Sequence, residues 1–82
     1  MPRKPDIETN DIDLAAVYMT ATGRKPFMYK EPGDILVTFQ MPNDVTTQNV
    51  MMEYAAGSLE QNVKRFAACR AWLYRQARGV KR

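Results

Sequence analysis

The chain has 82 residues, 45% of them apolar and 26% charged, with a formal net charge of +3. One domain fits that length, and the apolar share excludes general disorder. A single cysteine and no histidine exclude an internal disulfide and a zinc or haem site, and no apolar run approaches the roughly 18–20 residues needed to cross a bilayer.

Residues 1–10 read as a flexible N-terminal arm, because Pro2 and Pro5 oppose helix and the stretch is polar. Its basic start is followed by no apolar core, so it does not read as a secretory signal, and a cytoplasmic protein is expected. A first helix is predicted from a cap at Asn10 or Asp11 to Thr22. Leu14, Val17, Tyr18 and Ala21 repeat at i, i+3, i+4 and i+7, the spacing of one buried face. Gly23 supplies the stop.

Two strands are predicted next, Phe27–Lys30 and Ile35–Met41. Alternation puts Ile35, Val37, Phe39 and Met41 on one face and Leu36, Thr38 and Gln40 on the other. Between the strands, Glu31-Pro32-Gly33-Asp34 fits a type II turn. Tight hairpins prefer the primed turns, so a longer or bulged connection is expected. Pro42 ends the second strand because it lacks a ladder donor.

Asn43 or Asp44 caps a second helix over residues 45–56, which Gly57 stops. Val45, Gln48 and Met52 form one stripe; Val50, Met51 and Tyr54 supply another apolar surface. Ser58-Leu59-Glu60-Gln61 matches a capping box that opens a third helix running to Arg78. Its inner face is Leu59, Val63, Phe66, Ala67, Leu73 and Ala77, with Arg70 and Tyr74 at the border. Residues 11–78 thus read as a single α+β domain: a helix, a β-hairpin and two helices packed on the hairpin (α-β-β-α-α). Residues 79–82 follow as a basic C-terminal tail. A lone hairpin is marginal in water, and so short a domain gains from extra burial. A homo-oligomer is expected, above all a dimer formed through the hairpin edge or the third helix.

Charge is distributed unevenly. All nine acidic residues lie at or before Glu60, against five basic ones, which leaves −4 there. Beyond Glu60 stand seven basic side chains and no acid. A one-sign stretch attracts anionic partners. Lys64, Arg65, Arg75, Arg78, Lys81 and Arg82 are therefore candidate nucleic-acid contacts, and Arg3, Lys4, Arg24 and Lys25 could extend them. The competing reading assigns the same charges to helix-end stabilisation, solubility and pairing with the acidic half. The joint at Gly57 superficially suggests a helix-turn-helix, but Phe66 and Trp72 are out of place on a reading helix.

Trp72, Cys69 and Arg65 share a helical stripe with Asn62 and Gln76 and form a candidate interface, since tryptophan and arginine are favoured at interface centres. The alternative is a helix buried on two sides, with Trp72 in the core. Cys69 lies beside Arg70 but has no histidine to serve as base, so no catalytic residue is assigned. Asp6, Glu8, Asp11 and Asp13 lack the ligand pattern of a calcium loop, and the four glycines are scattered rather than gathered into a phosphate loop. No cofactor or metal is expected.

Leu14-Ala15-Ala16 followed by Gly23, the run Val37-Thr38-Phe39, Glu53-Tyr54-Ala55-Ala56-Gly57, and then Val63, Phe66, Leu73 and Tyr74 together resemble a small bacterial and phage-associated single-domain family of unknown function. The resemblance spans residues 9–76 and leaves out the basic tail. It implies the helix, hairpin and helical C-terminal order and a bacterial or phage setting, and no activity. The expectation is a small non-enzymatic accessory protein that acts through protein–protein interaction or self-association with an unspecified partner. The alternative is a nucleic-acid-binding module using the third helix.

Overall fold

The computed structural model of the chain describes residues 6–80, so Arg3, Lys4, Lys81 and Arg82 lie outside the described residues. The elements are β1 (Ile7–Thr9), α1 (Ile12–Thr22), β2 (Phe27–Tyr29), β3 (Thr38–Met41), α2 (Val45–Ala56) and α3 (Val63–Arg78). The fold is α+β, with three helices and an antiparallel sheet of order β1-β3-β2.

Residues 7–9, expected within a loose arm, form the strand β1. Ile7 pairs with Met41 and Thr9 with Phe39. Three residues are too few for alternation to register in the sequence. The hairpin therefore keeps one free edge, that of β2, because β1 covers β3 on the other side.

The second strand is shorter than expected. Gly33, at φ 93°, takes the third position of the Pro-Gly turn, and the Asp34 N–H donates to the Glu31 carbonyl at 3.0 Å. Such a turn splays the flanking chain. Pairing with β2 begins only at Thr38, opposite Tyr29. Ile35, expected to share a strand face with Val37, Phe39 and Met41, is 85% exposed, and Leu36 is 62% exposed. Val37 does turn inward, and its carbonyl accepts from the Asn10 amide at 3.1 Å.

Asp11 caps α1, accepting from the N–H groups of Asp13 and Leu14. Gly23, at φ 73°, closes it by donating to the Met19 carbonyl. Ala15, Ala16, Val17, Tyr18 and Thr20 are buried, a wider stripe than the expected face, while Ala21 is exposed. The reason is position: α1 is covered by α2, by α3 and by the sheet. Two alanines on that helix let Val37, Phe39 and Leu73 close on it, and these five residues form one packed cluster of the core.

Asp44 caps α2 by accepting from the Thr47 N–H at 2.8 Å. That helix faces inward through Thr47 and Val50. Of the two expected stripes, the one with Val45 and Met52 faces outward, these side chains being 70% and 69% exposed. Gly57, at φ 72°, ends α2 with paired bonds, its own N–H to the Tyr54 carbonyl and the Ser58 N–H to the Glu53 carbonyl. This is a Schellman closure. It occupies Ser58, so the expected capping box does not form. Asn62 caps α3 instead, accepting from the Arg65 N–H at 3.0 Å, and the Gln61 amide donates to the Val17 carbonyl at 2.8 Å. On α3, Leu73 is buried and Phe66 and Ala77 are half-buried, but Val63 and Ala67 point to solvent.

Candidate interaction surface

The splayed segment after β2 stands beside the C-terminal turns of α3, and a groove of about 430 Å³ opens there. Ile35, Leu36, Val37, Phe39, Tyr74 and Ala77 supply its apolar lining. Among the described residues its polar lining is Asn10, Lys30 and Arg78, so the charges there are positive. Tyr74 is 45% exposed. Three large apolar side chains left in water around one groove are the kind of surface that another molecule covers. Sequence reasoning missed it because the alternating pattern continues the strand through Ile35. The signal available was the type II turn, which is incompatible with strand pairing up to residue 35.

The basic candidates separate into distinct roles. Arg70 pairs with Asp13, and its guanidinium lies 4.9 Å from the Tyr74 ring centre. Hydrogen bonding to Asp13, above all, raises its pKa above the ordinary arginine value. Arg24 pairs with Asp44 at 2.9 Å. The Thr47 N–H and the Arg24 guanidinium hold the Asp44 carboxyl below the usual carboxylate range. The Arg65 guanidinium sits 3.9 Å from where a Cβ on Gly23 would be, at the negative end of α1. Lys64, Arg75 and Arg78 are exposed, and among the described residues they form no ion pair. Lys64, Ala68, Ala71 and Arg75 follow at i, i+4, i+7 and i+11, one outward stripe with small residues at its centre.

The candidate interface residues are not one open patch. Trp72 is half-buried against the core, with the Lys25 ammonium 4.9 Å from its ring centre. Cys69 is half-buried beside it on α3, and Arg65 is exposed. A second apolar hollow of about 380 Å³, lined by Val17, Tyr54, Leu59, Val63 and Phe66, lies where α2 ends and α3 begins.

Both α2 and α3 pack chiefly on α1 rather than on each other, unlike the paired helices of a helix-turn-helix. Among the described residues, no helix is long and apolar enough to cross a membrane, and no three His, Cys, Asp or Glu side chains gather as a metal site. Compared with known proteins, the chain matches no family model, no curated protein and no solved structure.

Proposed function

We propose that the protein is a small non-enzymatic accessory protein that works by binding, and first of all by binding itself. The observation that carries this reading is the groove where Ile35, Leu36 and Tyr74 remain exposed. Burying such side chains releases about 25 cal/mol per Å² of apolar surface, a gain the isolated chain forgoes. A small domain gains most from added burial by oligomerising. A bacterial or phage setting belongs to the same reading and rests on the sequence resemblance over residues 9–76. A concentration series of amide NMR spectra tests it. Resonances of residues 35–36 and 74–78 shift with concentration; spectra independent of concentration, with the tumbling rate of a 9.4 kDa protomer, refute the reading.

A second reading has its own observation, the unpaired cations Lys64 and Arg75 on the outward stripe of α3. Lysine and arginine neutralise phosphates, and the alanines between them permit close approach of a nucleic-acid backbone. Anisotropy of a labelled duplex and a labelled single strand, at low and near-physiological salt, decides it. Binding that falls steeply with salt and weakens in Lys64→Gln/Arg75→Gln supports the reading; no binding at low salt removes it.

A further inference from the structure

Self-association, the reading on which this inference rests, leaves open which surface fills the groove. The same chain carries a second patch with the opposite charge. On α2, Val45, Asn49, Met52 and Ala56 repeat at i, i+4, i+7 and i+11, and all four are exposed. They form one helical face that none of the described residues covers. The only charged side chain on this helix is Glu53, exposed on the flank of that face and without an ion pair among the described residues.

We infer that the outward face of α2 in one copy docks in the groove between the hairpin turn and α3 of the next. Met52 and Val45 supply apolar side chains to a groove lined by Ile35, Leu36 and Tyr74. Glu53 supplies a negative charge, and among the described residues lining the groove Lys30 and Arg78 are the only charged ones. Asp34 lies in the neighbouring hollow rather than in this groove, and its carboxylate accepts from the Glu31 N–H. An amphipathic helix laid in an apolar groove is a common recognition mode, and opposed charges at its rim fix register and direction.

The contact is between two different patches, so each bound copy still presents one groove and one helix face. Symmetry of that kind continues until it closes on itself or grows as a chain.

The test uses two full-length variants, Leu36→Asp in the groove and Met52→Asp on the helix face, with light scattering to read mass. Both side chains are more than half exposed, and circular dichroism checks that both variants fold. Each variant alone is expected at protomer mass. An equimolar mixture recovers association, because one variant keeps an intact groove and the other an intact helix face. Wild-type association with no recovery in the mixture, or either variant alone keeping the wild-type mass, overturns the head-to-groove contact while leaving self-association standing. A wild-type protein that is monomeric throughout removes the underlying reading as well.

Discussion

Arg70, in the middle of α3, donates from Nε to the carboxylate of Asp13, in the first turn of α1. The pair fastens the last helix to the first across the core and takes one charge out of the basic surface. The side chains are 40% and 48% exposed, so the bond fixes geometry more than it adds stability. Should nucleic acid bind, Arg70→Gln is expected to leave the salt dependence unchanged, whereas Arg75→Gln lowers the slope by about 1. Equal effects of the two substitutions contradict this division of charges.

Leu73 is fully buried among Ala15, Ala16, Val37 and Phe39. Leu73→Ala is expected to cost about 2–5 kcal/mol, by lost transfer energy and the cavity left behind. That is a large part of the ~5–15 kcal/mol typical of a domain. Val63→Ala, at a side chain 80% exposed, is expected to change stability by less than about 0.5 kcal/mol. Urea denaturation measures both. Comparable losses show that Val63 belongs to the core, as its place in the helical pattern suggests.

The start of α3 has its own test. Asn62→Ala removes the side chain that accepts from the Arg65 N–H and is expected to cost about 1 kcal/mol. Ser58→Ala is expected to cost only a few tenths, since the Schellman bond from Ser58 uses its backbone N–H. The reverse order of effects would falsify the boundary at Asn62.

Much of this architecture is legible in the residues. Asp11 with Gly23, and Asp44 with Gly57, bound two helices because caps and left-handed stops are local chemistry. What the sequence hides is set by competition between neighbours. Ser58 could open α3 or close α2, and the closing bond to Glu53 wins. Val45 and Met52 fit a buried stripe by spacing, but α2 turns Thr47 and Val50 inward. Ile35 continues the alternation of β3, yet the turn at Gly33 leaves it without a partner strand. The groove escapes sequence reading for that last reason: alternation continues the strand through Ile35 and Leu36, where the structure leaves both exposed.

Asp44 gives the pH dependence. Its folded pKa is depressed, first by the Thr47 N–H and further by Arg24. A depressed carboxylate contributes stability that is present above its unfolded pKa, about 3.9, and is lost as pH falls through the lower folded value. Thermal midpoints measured from pH 7 downward are expected to decline in that acid range. Asp44→Asn, which keeps a capping oxygen but cannot titrate, shows a shallower decline. Superimposable acid profiles for the two proteins exclude Asp44 as a contributor.

In the proposed self-association, the exposed apolar groove is filled by another copy. Sedimentation equilibrium of the wild-type chain over a wide concentration range tests it most directly. The average mass is expected to rise above the 9.4 kDa protomer and to return to it in Leu36→Asp. A wild-type mass fixed at 9.4 kDa at every concentration contradicts it.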